Sequence, residues 1–170
     1  MTLLLIPLLK NPSKARIVNV SSILHLMGKI NFNNINLKGV YGPNKSYAQS
    51  KLANVLFTRE LAKRLKNTNI TAYSLHPGGI RTDLSRHMIS SPNEGLFGFF
   101  QRNFLIDVEL GSQTTLYCAL EESLDNESGY YYNDCRRINC MVPNAKDDKS
   151  AEKLWELSEK LVNLDDKYKI

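Results

Sequence analysis

Two periods organise the apolar residues of this 170-residue chain. From Ala48 to Leu65 there is no Gly or Pro, and Ala48, Leu52, Val55, Leu56, Leu61, Ala62 and Leu65 recur at helical spacing. That pattern predicts an amphipathic helix closing at Lys66-Asn67. On either side lie short β-branched runs. Arg16 to Ser21 follows a turn signal and predicts a strand buried on both faces, as in a parallel sheet. Ile70 to Leu75 predicts a second strand. Strand, helix and strand at this spacing make a right-handed crossover unit of the α/β class. Asn31 to Lys45, rich in Asn and Gly with Gly42-Pro43 near its end, predicts a loop.

The flanks are patterned more weakly. Thr2 to Leu9 is apolar, interrupted by Pro7, and predicts the last turns of a core-facing helix ending near Lys10-Asn11-Pro12. It is too short to span a bilayer and lacks the basic start and small-residue cleavage site of a signal peptide. Glu109 to Leu120 predicts a helix, and Ser128 to Asn133, with three tyrosines after Gly129, the last strand. Ser150 to Leu161 predicts an amphipathic helix with Leu154, Trp155, Leu157 and Leu161 on its apolar side. Arg81 to Asn103 holds Leu84, Met88, Leu96, Phe97, Phe99 and Phe100, with Phe104 just beyond, in no clean period. With no repeat, low-complexity tract or linker, residues 1–170 are expected to form a single domain.

Composition changes this picture little. A hydrophobic content of 42% and a charged content of 23% are ordinary for a globular protein. The formal charge of +5 is spread over Arg59, Lys63, Arg64 and Lys66 of the long helix, the Arg136-Arg137 pair and the C-terminal lysines. It reads as a solvated face rather than a nucleic-acid surface, which would cluster its basic residues with interleaved aromatics. Three cysteines (Cys118, Cys135, Cys140) without a Cys-x-x-Cys pair, and three scattered histidines, suggest neither a disulfide framework nor a metal centre. They fit a reducing compartment.

Candidate chemistry lies at Tyr47-Ala48-Gln49-Ser50-Lys51. Residues four apart share a helix face, so Tyr47 and Lys51 point together if Tyr47 already belongs to the helix. A phenol normally ionises near pH 10, and a nearby ammonium favours the phenolate. Such a Tyr can exchange a proton near neutral pH. A serine hydroxyl across the pocket, Ser22, can hold the same substrate oxygen. The set suits interconversion of a carbonyl and an alcohol, in which one oxygen gains or loses a proton as a hydride moves. Taken alone, Tyr-x-x-x-Lys fits a lysine snorkelling past a half-buried tyrosine better than a catalytic pair, and Pro77-Gly78 alone fits an ordinary turn better than a cofactor contact.

Together, Arg16-Ile17-Val18-Asn19-Val20-Ser21-Ser22, Tyr47-Ala48-Gln49-Ser50-Lys51-Leu52-Ala53-Asn54 and Leu75-His76-Pro77-Gly78 resemble the short-chain dehydrogenase/reductase family, most closely its retinol dehydrogenase-like branch. The resemblance runs to about Leu164. It implies the C-terminal part of a doubly wound parallel-sheet, Rossmann-like domain. Tyr47 is then general acid/base, Lys51 tunes it and holds the nicotinamide ribose, and Ser22 positions the carbonyl. Pro77, Gly78 and Thr82 contact the nicotinamide half of NAD(P), with NADP favoured over NAD. The segment after Gly79 corresponds to the family's substrate lid, and its aromatics suit either a lid over an apolar substrate (a retinoid, steroid or lipid aldehyde) or core packing. The Gly-rich pyrophosphate turn of the family has no counterpart in this sequence, since relatives carry it upstream. The chain therefore looks like the C-terminal half of such an enzyme, and the alternative is a non-catalytic fragment or partner-binding remnant. Sugar-nucleotide epimerases share the Tyr-Lys pair, but the short His76-Pro77-Gly78 segment disfavours them. The implied partner is a small apolar alcohol or carbonyl compound. The expected location is the cytoplasm, or a membrane surface facing a reducing compartment where an upstream segment carries an anchor, and a homo-oligomer is compatible with the resemblance.

Overall fold

The computed structural model describes residues 1–79 and 107–170. Among these, four strands form one sheet in the order β1-β2-β3-β4. Strand β1 (Ala15–Val20), β2 (Ile70–His76) and β3 (Tyr131–Asn133) run parallel, and β4 (Arg136–Arg137) returns antiparallel to β3. The helices are α1 (Thr2–Leu9), α2 (Pro43–Arg64), α3 (Val108–Leu120) and α4 (Asp148–Leu161).

Alternation along β2 explains the layering. Ile70 and Ala72 face one side and pack with Leu61, Leu65 and Trp155 of α2 and α4. Tyr73 and Leu75 face the other side and pack with Cys118 of α3, Leu124 and Tyr132. Helices thus cover both faces, a Rossmann-like α/β arrangement. Leu52, Leu56 and Leu61 on the buried side of α2 are at most 1% exposed. Each contributes about 1.5–3 kcal/mol of apolar transfer free energy.

The structure departs from the pattern-based expectations in several places. Helix α2 starts at Pro43, five residues before its apolar period begins. Proline suits a first helical position because its φ is preset and its missing N–H would have no intrahelical partner there. Strand β1 is not buried on both faces. Its burial falls from Ala15 to a 42% exposed Val20, because among the described residues it pairs with β2 alone.

The expected last strand shortens to Tyr131–Asn133 and is followed by β4. Asp134 and Cys135 make the two-residue turn between them, both at positive φ (48° and 53°). That geometry matches the two-residue hairpin turn that follows strand twist, with Asp134 at the first central position, where Asp is favoured, and Cys135 where Gly is usual. In α1 only Ile6 is buried, while Leu4, Leu5 and Leu8 are exposed. Leu161 at the end of α4 is 58% exposed, so the apolar side of that helix stops short of it. The basic face of α2 is not simply solvated either. Arg64 donates from Nε to Glu60, which is buried, and lies 4.6 Å from the ring centre of Trp155. Arg59 pairs with Asp148.

No described helix is long and apolar enough to cross a membrane.

Candidate active site

The site forms where β1 ends. The Ser21 N–H donates to Leu75 O at 2.7 Å and so continues the ladder one residue beyond the strand. Ser22 then stays extended (φ −161°, ψ 157°) and caps a single 3₁₀ turn, Ile23–Met27. Its Oγ accepts from Leu24 N–H at 3.2 Å. A hydroxyl that accepts in this way still has its own proton to donate. Ser22 is 7% exposed.

Helix α2 is bound to that strand end by side chains. Ser21 Oγ donates to the Lys51 carbonyl at 2.7 Å. Asn54 Nδ2 and Lys51 Nζ both donate to the Val20 carbonyl, at 3.0 and 3.3 Å. Asn19 Nδ2 reaches Thr58 Oγ1 at 2.8 Å. The last carbonyl of β1 is thereby satisfied from the helix rather than from a strand. Tyr47 lies within α2, so it shares a face with Lys51 as the spacing requires. The Lys51 ammonium lies 5.4 Å from the Tyr47 ring centre. Burial pushes the Lys51 amine below its ordinary value, since a desolvated ammonium is disfavoured.

Gly28 closes the arrangement from below. A Cβ there would lie 2.6 Å from the Ala48 carbonyl and 2.7 Å from Leu52 Cβ. Only a bare backbone brings the turn after Ser22 this close to α2, between Tyr47 and Lys51. Gln49, also buried, ties the following loop to the same helix. It accepts from Asn31 N–H at 2.9 Å and donates to Ile35 O at 2.8 Å.

On the second strand, β2 ends at His76 and is followed by Pro77 and Gly78. Gly78 sits at φ +91°, a conformation that a side chain disfavours. The parallel pairing of β1 and β2 puts Ser22 and Pro77-Gly78 at the same edge of the sheet. Ile23 and His25 of the 3₁₀ turn share a cavity with His76. Thr82 and the apolar segment from Leu84 to Phe104 lie outside the described residues. Sequence reasoning passed over Ser21, Asn54, Gln49 and His25. For Ser21 and Gln49, the signal was a polar residue among buried positions; Asn54 is only half-buried and gave no such signal. For His25 it was a lone histidine in the run Ile23-Leu24-His25-Leu26-Met27.

Comparison with known proteins bears on the same residues. The family model described as short chain dehydrogenase matches residues 1–93. Human retinol dehydrogenase 12 is 45% identical over 164 residues, covering 96% of this chain and 51% of that protein. Human retinol dehydrogenase 14 is 43% identical over 165 residues, with 96% and 49% covered. This chain spans about half the length of these curated relatives. Among solved structures, an uncharacterised protein from Mycobacterium paratuberculosis matches with a TM-score of 0.63 at 29% identity. It covers 88% of this chain and 51% of that one. The NADPH-bound carbonyl reductase from chicken fatty liver shares the fold, with a TM-score of 0.51 at 21% identity over 76% of this chain and 46% of that one.

Proposed function

The chain belongs to the short-chain dehydrogenase family, in its retinol dehydrogenase-like branch, and from that premise we propose that it supplies the proton-handling half of an NAD(P)-dependent oxidoreductase interconverting an apolar alcohol and its carbonyl. One observation carries this reading. Helix α2 presents Tyr47 and Lys51 together on one face, and the bonds from Ser21, Asn54 and Lys51 tie that helix to the end of β1, which Ser22 follows.

The roles follow from what each group can do. The Ser22 hydroxyl, already oriented as an acceptor toward Leu24, donates to the substrate oxygen and holds it. The Tyr47 hydroxyl gives that oxygen a proton in reduction and takes it in oxidation. The Lys51 amine beside the ring compensates charge on the phenolic oxygen and presents donors to a ribose hydroxyl. When bound, NAD(P) supplies or accepts the hydride. The residues present fit the nicotinamide end of that cofactor. The turn at Pro77-Gly78, with Gly78 at φ +91°, leaves backbone open to close approach, and Lys51 stands at the neighbouring strand end. Thr82 is assigned to the same end by the family pattern. NADP is favoured over NAD, and a retinoid, steroid or lipid aldehyde is the substrate class.

The test is turnover of an apolar aldehyde by this chain joined to an upstream strand, Gly-rich turn and helix. Tyr47→Phe abolishes turnover with folding preserved, because only a hydroxyl is lost. Lys51→Ala is nearly as damaging, and Ser22→Ala clearly so. If Tyr47→Phe keeps more than about a tenth of the rate, a barrier change under roughly 1.4 kcal/mol, Tyr47 is not the acid/base.

A further inference from the structure

A cleft of about 520 Å³ opens at the opposite end of the sheet from the candidate active site. It lies between the last turns of α2, the first residues of β2 and the loop of residues 126–130. Lys51 and Lys63 are twelve residues apart on one helix, so the cleft lies about 18 Å from Lys51 along the axis. No residue assigned to proton or cofactor handling lines it.

Its charges are unbalanced. Arg59, Lys63 and Lys66 line it together with two carboxylates, Asp125 and Asp148. Both carboxylates are already committed. Asp125 pairs with Lys14 and Arg16, which are not part of the wall, and Asp148 pairs with Arg59 Nε at 2.5 Å. Lys63 Nζ stands 3.8 Å from Glu60, whose carboxylate takes Arg64 Nε at 2.7 Å. Lys66 is exposed and has no acidic partner among the described residues. Lysines at a helix C-terminus commonly answer its open carbonyls. Here the chain answers them itself. Leu61 O takes the Leu65 N–H, Lys63 O the Lys66 N–H, and Leu65 O both the N–H and the hydroxyl of Thr68.

Neutral donors stand on the facing wall. Gly129 N–H donates to Ala72 O at 2.7 Å, and Ser128 Oγ accepts from Ala72 N–H at 3.0 Å, so this loop is fixed to β2. The Ser128 hydroxyl keeps its own proton to donate. Arg59 uses only one N–H of its guanidinium on Asp148.

We propose that this cleft binds a small soluble phosphate monoester, its phosphate held by Lys63, Lys66 and Arg59 with the Ser128 hydroxyl donating. A monoester is close to doubly charged above a second pKa of about 6, and cationic donors with no free acceptor among them suit it. The volume falls in the small-molecule range of about 300–1,000 Å³. A concave site between two elements takes a free molecule more readily than a headgroup fixed in a flat lipid surface. Exposed ion pairs are individually weak, so the dissociation constant is expected at about 1 mM rather than in the micromolar range. The test needs neither cofactor nor turnover and stands apart from the oxidoreductase reading.

The probe is glycerol phosphate, added to the full chain at about pH 7.5, where the monoester is dianionic. The readout is the rate at which N-hydroxysuccinimidyl acetate acylates each lysine, followed by peptide mass spectrometry. Glycerol phosphate at about 10 mM, roughly tenfold above the expected dissociation constant, should slow Lys63 and Lys66 severalfold. The exposed Lys45 and Lys160 should be unaffected. Neither glycerol nor sodium chloride at matched ionic strength should protect any of them. Lys66→Gln alters an exposed, unpaired side chain and leaves the fold intact. It should raise the concentration that protects Lys63 about fivefold, close to 1 kcal/mol at 1.4 kcal/mol per tenfold. Lys45→Gln removes the same charge at the other end of α2 and should leave that concentration unchanged. Equal slowing of all four lysines, or equal protection by sodium chloride, would overturn the proposal, since the lysines would then sense only salt. So would protection of Lys63 that Lys66→Gln does not weaken. Stronger protection by phosphatidate vesicles than by glycerol phosphate at equal phosphate concentration would overturn the assignment to a soluble ligand.

Discussion

At the scale of single residues, the site depends on groups held in defined protonation states. Burial is the largest influence on both His25 and His76 and lowers both. The Ser22 carbonyl opposes it at His25. At His76, Asp134 opposes it while His25 adds to it. Each folded value therefore lies below the unfolded value near 6.5. As pH falls through 6.5 toward the folded values, the unfolded chain binds more protons than the folded one, and stability falls with it. Above pH 6.5 this contribution is complete. The melting temperature is accordingly expected to drop between pH 7.5 and pH 5.5, and the drop should shrink in His25→Phe. An undiminished drop in that variant would place the acid sensitivity elsewhere.

At the scale of elements, the contact between the turn after Ser22 and helix α2 sets the geometry. Gly28 lies against α2 at a distance that no side chain tolerates, and the obstacles are backbone and a Cβ rather than a flexible tip. The two elements must separate to admit even a methyl group. Gly28→Ala is thus expected to destabilise the chain by about 1–3 kcal/mol, the usual cost of overpacking, read as a lower denaturant midpoint. In a catalytically complete form it should also slow turnover more than it raises KM, since Ser22 moves relative to Tyr47. A neutral effect on both measurements would show that the turn relaxes without disturbing the site.

For the whole molecule, the organising fact is a β1 strand paired on one side only among the described residues. Its N–H and C=O groups on the other side, next to an exposed Val20, make a template for another strand. Residues 1–170 by themselves are expected to self-associate in size-exclusion chromatography as concentration rises. Val20→Lys should shift them toward monomer, because charge blunts edge pairing. A concentration-independent monomer would contradict this. On the proposed reading the same 170 residues would hold the nicotinamide end of a dinucleotide, and their sequence contains no Gly-rich turn for its pyrophosphate. One end is a weak handle, so a fluorescence titration should detect no NADPH binding at micromolar concentration. Micromolar binding would reveal a cofactor site that Pro77, Gly78 and Lys51 do not account for.

Much of this was legible from residue order alone, because the signals were local. The 3.6-residue period placed α2, the β-branched runs placed β1 and β2, and the four-residue spacing put Lys51 beneath Tyr47. These features depend on backbone geometry within a few residues. Tertiary packing decided what spacing cannot express. The approach of the Gly28 backbone to Ala48 and Leu52 of α2 joins residues at least twenty positions apart. The capture of the Val20 carbonyl by Asn54 and Lys51 joins residues more than thirty positions apart. The His25–His76 cavity exists only because parallel pairing brings the ends of β1 and β2 to one edge. A local pattern states which way a side chain points along its own element. Which distant group it meets depends on how whole elements pack, and that is fixed by burying apolar faces against one another.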